Sequence, residues 1–292
     1  MKPRILTRMI LGILVLLSLC IGGYLLYDRG RPAPVPMKQK LYEGVTYRRL
    51  VRYVPRPMIA HVLTIDTKEK GIEFLITPPD SEGETPLKAR TTSQFLEEFQ
   101  LQLAINGSGF SPWWSNSPAD YYPHVGDPIA PFGLTASSGK VYWTTADTEG
   151  IPPALFMSRK NVLSFNNKPS RVYNAISGDR MIVVKGEIPA DLDHQELDPR
   201  TALGLNRNGR YLYLVVVDGR QPFYSQGATF AELAQLLLDQ GAYMAMSLDG
   251  GGSSTMVMED EDGSPLILNS PIDRHIPGTE RPVGTHVGIF VK

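Results

Sequence analysis

The stretch TFAELAQLLLDQGAYMAMSLDGGGSS, residues 229–254, decides the fold. Thr229 with Glu232 three places on has the form of a capping box, opening a helix that runs to about Gln240, where Gly241 is placed to cap it. YMAMSL (243–248) then reads as a buried strand. That apolar run stops at Asp249, and Gly250, Gly251 and Gly252 stand before Ser253 and Ser254. Glycine loses more backbone freedom on folding than any other residue, so such a run serves a backbone shape that side chains would block. A glycine-rich turn is able to point successive N–H groups into one concavity, a nest for anions such as phosphate. Ser253 and Ser254 add hydroxyl donors and acceptors there. Asp249 supplies a carboxylate at the lip, suited to general acid–base work, to metal binding or to orienting a sugar hydroxyl.

An earlier part of the chain echoes this order. Thr91 to Gln94 fits a second capping box, QFLEEF (94–99) a short helix, LQLAI (101–105) a strand, and Asn106-Gly-Ser-Gly109 a second glycine turn. The echo predicts an α/β (α+β) domain with a mixed β-sheet core and a few helices, in which strand C-terminal ends form the site. TALGLN (201–206), the turn at 207–209 and YLYLVVVD (211–218) predict a hairpin, SSGK (137–140) another, and VGTHVGIFV (283–291) a closing strand. Residues 107–131, rich in Trp, Tyr and Pro, read as a long functional loop. The acidic tip Glu259 to Asp262 reads as a solvated turn.

Around this core the chain of 292 residues carries a net charge of −1, with 29 basic and 30 acidic residues, and shows no basic stripe for nucleic acid. Lys2, Arg4 and Arg8 precede an uncharged apolar run, MILGILVLLSLCIGGYLL. It predicts a signal anchor or transmembrane helix over 9–27, with a cytoplasmic tail at 1–8; a cleaved signal and a lipoprotein signal at Cys20 are the alternatives. The Pro-rich RPAPVPMKQK (31–40) lies in an expected linker over 28–54, and 55–292 is the expected functional domain, held at the cell membrane on its periplasmic or extracellular side. The single cysteine, Cys20, lies inside the apolar run, so no disulfide is available to the body.

Familiar motifs do not claim the glycine turn. A P-loop needs G-x-x-x-x-G-K-[ST], and no Lys follows. The nucleophile elbow G-x-S-x-G fails on order and on its second glycine. A serine hydrolase using Ser253 or Ser254, with His124 or His286 as base, is open but has no spacing signal. Three arginines stand at strand ends or turns: Arg180 after Gly178-Asp179, Arg200 after Asp198-Pro199, and Arg220 closing VDGR. Guanidinium forks match phosphate oxygens, so these are candidate phosphate holders.

RTALGLNRNGRYLYLVVVDGRQPFYSQGATFAELAQLLLDQGAYMAMSLDGGGSSTMV, together with AINGSGF, SGDRMIV and the closing LNSP…ERPVGTHVGIFV, resembles the phosphodiester glycosidase family in its bacterial form. The resemblance covers about residues 55–292. It implies an α/β fold and hydrolysis of a glycosyl-1-phosphodiester between sugar and phosphate, with a carbohydrate phosphodiester of the envelope as substrate. It places catalytic weight on Asp249, Arg200, Asn106 and Arg220, and substrate binding on Gly250, Gly251, Gly252, Ser253, Ser254, Asp218 and Asn269. It also admits a divalent cation such as calcium, with Asp249 as candidate ligand. The family commonly has an aromatic residue where this chain has Gly109, which implies a different pocket wall. The alternative of another class is a non-catalytic glycan-binding protein in exopolysaccharide or cell-wall assembly.

Overall fold

The computed structural model describes residues 3–32, 34–117, 119–144 and 152–292, with side chains from residue 7 onward; Lys2 lies outside the described residues. Helix α1 (Pro3–Gly30) is followed by β1 (Met37–Tyr42), β2 (Val45–Arg52), β3 (Met58–Asp66), β4 (Ile72–Ile76), α2 (Thr92–Phe99) and β5 (Leu103–Asn106). Then come β6 (Met181–Val183), β7 (Arg200–Leu205), β8 (Tyr211–Val217), α3 (Phe230–Gln240) and β9 (Met244–Ser247). The chain closes with β10 (Met256–Glu259), β11 (Pro265–Ile267) and β12 (His286–Val291).

Two antiparallel sheets carry the fold. One has seven strands in the order β1-β2-β3-β8-β7-β9-β6. The other has five, in the order β11-β10-β5-β12-β4. The alternation of β8 shows how they stack. Leu212, Leu214 and Val216 face a core shared with Leu103, Ile105, Val287 and Ile289 of the smaller sheet. Tyr213, Val215 and Val217 point the other way, beneath Leu233, Ala234, Leu236 and Leu237 of α3. Successive strand side chains point to opposite faces, so a strand covered on both sides must be apolar at every position. That is why YLYLVVV runs without a polar break. Helix α2 covers the outer face of the smaller sheet through Phe95 and Leu96, against Ala104 and Val257. The layers are therefore helix, sheet, sheet, helix. A third sheet drawn from 135–177 adds Leu155 and Ile176 to the central core.

Both capping boxes form. Thr91 and Thr229 each accept the backbone N–H three residues on, while Gln94 and Glu232 bond back to the cap. Gly241 closes α3 in the left-handed conformation with φ 99°. The spacer is shorter than its composition implied. Residues 37–52, expected within the linker, are β1 and β2, and β2 pairs with β3 along its length. Val45 and Tyr47 bury their side chains there, which a solvated linker would not do.

Helix α1 has 28 residues, and Thr7–Gly30 is long and apolar enough to cross a membrane, with none of its 18-residue apolar window buried in the protein. Among the described residues the only free cysteine is Cys20 on this helix, and it is exposed.

Candidate active site

The ends of β5 and β9 meet, although they belong to different sheets. The Asn106 amide Nδ2 donates to the Asp249 carbonyl at 2.7 Å, and the Asp249 backbone N–H donates to the Gly107 carbonyl at 3.0 Å. Thr201 Oγ1 and the Thr255 N–H both donate to Asn106 Oδ1, at 2.8 and 3.2 Å. The Asn106 amide is thus bonded on both its ends and fully buried. It sits beneath the glycine loop and fixes where that loop begins.

The three glycines each admit a different neighbour. A Cβ on Gly250 would stand 2.9 Å from the Pro199 carbonyl. Gly251 has φ +58°, the left-handed region that side chains disfavour, and a Cβ there would stand 2.9 Å from Arg220 Nη2. A Cβ on Gly252 would run into the Arg281 guanidinium, 2.8 Å from its Cζ. The loop's N–H groups are largely consumed: Gly251 donates to Pro199 at 2.8 Å, Ser253 to Gly250 and Ser254 to Gly251 at 3.2 Å each. The expected nest of free N–H groups therefore does not form. A short 3₁₀ turn over Gly251–Ser253 replaces it, and two guanidiniums close on that turn instead.

The Arg281 Nη1 donates to Ser253 Oγ at 3.3 Å, its Nε to Asp273 at 2.8 Å, and its guanidinium lies 5.2 Å from the centroid of the exposed Trp113 ring. Glu280 precedes it in the chain. Its carboxyl accepts the Ser93 N–H at 3.0 Å, capping α2 from outside. Asp249 keeps some exposure as a residue, but burial of its carboxyl pushes it above the usual carboxylate range. The bond from Ser253 and the charge of Arg281 oppose that shift without cancelling it.

Arg220 stands on the other side of the turn. Its fork holds Asp198 at 2.6 and 2.9 Å, and its own backbone is left-handed with φ 58°. Non-glycine residues rarely sit there, and those that do gather at functional sites. Arg200 is more remote in its bonding. It donates to the carbonyls of Ala228 and Glu196 at 3.1 Å each and lies over Phe230, 4.0 Å from the ring centroid. Arg180 approaches the same ring at 4.7 Å and pairs with Asp179.

Asp218 and Asn269 lie under the loop's far end. Asp218 is buried and accepts from Asn269 Nδ2 at 3.1 Å and from the Ser270 N–H at 2.7 Å. Its other oxygen meets His61 Nε2 at 3.1 Å, and His61 Nδ1 meets the Tyr47 hydroxyl at 2.8 Å. Asn269 spends its amide on Asp218, on the Ser254 carbonyl at 3.0 Å and on the Met256 N–H at 2.8 Å. These residues carry the loop from behind.

The serine-hydrolase arrangement is not assembled. His286 bonds Thr77, stacks on Phe95 at 4.5 Å, and has its pKa lowered to about 3 by burial and by Arg90. His124 pairs with Asp127. Among the described residues, no histidine bonds Ser253 or Ser254. A calcium cage does not fit either. Calcium takes about six to eight oxygens, whereas a hydroxyl and a guanidinium neighbour Asp249. No group of three or more His, Cys, Asp or Glu suited to a metal ion is gathered among the described residues.

A Cβ on Gly109 would stand 2.9 Å from the Phe132 ring, so Phe132 fills the space beside the position where the family's aromatic residue is missing. Sequence reading missed Arg281, Asp273 and His61. Of these, only Arg281 lies in a quoted block, ERPVGTHVGIFV.

The family model for phosphodiester glycosidases matches residues 99–290. The chain belongs to the phosphodiester glycosidase family. The matched span begins at the end of α2 and includes both glycine turns and Arg281. Among solved structures, a hypothetical protein from Synechocystis superposes with a TM-score of 0.64 at 16% identity, over 89% of this chain and 64% of that one. The chain thus spans a little under two thirds of that protein's length. The catalytic domain of zebrafish N-acetylglucosamine-1-phosphodiester alpha-N-acetylglucosaminidase, auto-inhibited by its pro-peptide, gives 0.58 at 20% identity, over 90% of this chain and 86% of that one. A putative exported protein from Burkholderia pseudomallei K96243 gives 0.55 at 15%, over 80% and 74%. These likenesses show a shared fold. No curated protein sequence matches the chain.

Proposed function

We propose that this phosphodiester glycosidase is a membrane-anchored hydrolase of the cell envelope. It cleaves a glycosyl-1-phosphodiester between the anomeric carbon and the phosphate oxygen. A water oxygen bonds to the anomeric carbon as the carbon–oxygen bond breaks, and the products are a free sugar and a phosphomonoester. The transition state spreads positive charge over the sugar ring and negative charge over the departing phosphate. Arg281 and Arg220, brought against the turn by Gly252 and Gly251, hold that phosphate and stabilise its growing charge. Asp249 handles the proton. Its raised pKa keeps a proton available to the leaving oxygen at a pH where an exposed carboxyl would have lost it.

Asn106, Asp218 and Asn269 position the loop, and Arg200 supports its entry strand from the side of Phe230. The observation that carries this reading is the enclosed Asp249 carboxyl beside Ser253 and Arg281. Purified full-length protein in detergent should release sugar and phosphomonoester from a panel of sugar-1-phosphodiesters, and Asp249→Ala should abolish the release while the fold persists. Saturable glycan binding without release by the native protein would overturn the hydrolase in favour of a binding protein.

A further inference from the structure

Helix α1 is tied to the same polar cluster that carries the glycine loop. Asp28, in its last turn, is only 2% exposed, accepts the Phe223 N–H at 2.7 Å, and lies 3.8 Å from Arg31. Arg31 bonds Gln221, donates to Ser270 Oγ at 3.0 Å, and lies over Tyr224 with its Cζ 3.4 Å from the ring centroid. Ser270 is the residue whose backbone N–H bonds Asp218. One and a half turns before the helix ends, the Tyr24 hydroxyl donates to the carbonyl of Arg220 itself at 3.4 Å. A flexible tether would make none of these contacts. A buried charged pair on a linker is unfavourable unless its geometry is held.

The surface around that anchor is apolar. Phe223 is 50% exposed, Tyr53 57%, Val54 84% and Val35 65%. The loops that bear them are joined: the Tyr53 hydroxyl donates to the Pro34 carbonyl at 3.4 Å, and the Gln226 N–H to the Pro57 carbonyl at 2.9 Å. Arg29 lies 6.0 Å from the Phe223 ring centroid. Exposed aromatic and aliphatic groups with arginines at the end of a spanning helix match the chemistry of a bilayer interface.

The lengths agree. The 24 residues of Thr7–Gly30 rise about 36 Å at 1.5 Å each. The hydrocarbon core is about 30 Å thick, so the last turn reaches the headgroups. Phe223, bonded to Asp28 in that last turn, is then at headgroup depth, where a lipid carries its phosphate, and Arg220 lies three residues before it in the chain.

We propose that the Asp28–Arg31 lock and the Tyr53, Val54 and Phe223 loops seat the domain on its own bilayer, and that the substrate is a glycosyl phosphodiester carried by a lipid in that bilayer. This rests on the hydrolase reading of the site and on α1 spanning the membrane. A phosphate at headgroup level reaches Arg220 without leaving the membrane, whereas a soluble polymer has to approach a site flush with the surface.

The test uses the full chain in nanodiscs of phosphatidylethanolamine and phosphatidylglycerol. Two substrates with the same sugar-1-phosphodiester are compared, one esterified to a polyprenyl tail embedded in the disc and one to methanol. The tailed substrate should be cleaved at least tenfold faster at equal bulk concentration. The double variant Asp28→Ala, Arg31→Ala should lose that preference and keep its rate on the methyl ester. Equal rates in the native protein would overturn the proposal, as would a preference unchanged in the variant. A variant that gains rate on the methyl ester would also overturn it, by making the lock inhibitory. No cleavage of either substrate would sink the hydrolase reading instead. A readout independent of activity separates the two cases. In a Cys20→Ser background, a bimane probe on Phe223→Cys should be quenched by spin-labelled lipid, and one on Asn208→Cys, at the opposite end of β8, should not. An unquenched probe at 223 would overturn the seating alone.

Discussion

Replacing Asp249 by Asn removes a carboxyl whose charged form is disfavoured by burial while keeping its shape. The native pKa is raised, so the folded state holds the proton more tightly than the unfolded one does. Stability then falls as pH rises from the ordinary aspartate value, about 3.9, through the raised one. Asp249→Asn should therefore raise Tm at pH 7, with the gain fading below about pH 4. Turnover should fall by about a hundredfold or more, the usual contribution of a general acid. Calorimetry across pH and a kcat profile check both, and in the native enzyme kcat should decline as pH rises through the same raised pKa. Arg281→Lys keeps the positive charge but loses the fork that reaches Ser253 and Asp273 together. It should lower kcat/KM by roughly a hundredfold, comparable to losing one transition-state donor, with Tm little changed.

At the scale of the element, the glycine turn is a socket for side chains from elsewhere in the chain. Gly252→Ala puts a methyl where the Arg281 guanidinium lies, so steady-state kinetics should show an effect close to that of Arg281→Lys. Gly251→Ala adds backbone strain of about 1–2 kcal/mol for a left-handed residue, and should lower Tm as well as activity. What could be read from sequence followed the range of each interaction. The capping boxes of α2 and α3 lie within a few residues of each other and were legible in full. So was the hairpin of β7 and β8. The Asn106–Asp249 bond spans 143 positions; the polar-then-glycine ending shared by both strands points to their ends meeting, not to the bond itself. Arg281 reaches Ser253 across 28 positions with no repeat to announce it. The purpose of the glycines is hidden from the sequence for that reason: a nest can be inferred from the glycines alone, a socket only from its occupants. Strand β2 was hidden because arginines break its apolar alternation and a Pro-rich stretch precedes it.

For the whole molecule, the short path between α1 and the first sheet matters most. Only residues 31–36 separate α1 from β1, and Arg31 is already bonded to the domain. The full chain should sediment with membranes and resist alkaline carbonate extraction. A soluble form whose N-terminus begins after residue 30 would show instead that α1 is a cleaved signal, which N-terminal sequencing of the mature protein distinguishes.

The two bonds that tie Asp249 to Asn106 and Gly107 have a further consequence for how this protein should fail. With the Thr201–Asn106 bond they join two sheets that share an apolar core, and Asp249 lies at that seam. Apolar adhesion tolerates small slippage, but a hydrogen-bonded clamp at 2.7 Å does not. On warming, the sheets should shift against each other before either one melts, and turnover should vanish several degrees below the loss of far-ultraviolet ellipticity. The catalytic centre would then serve as the protein's most sensitive gauge of how well its two halves stay in register.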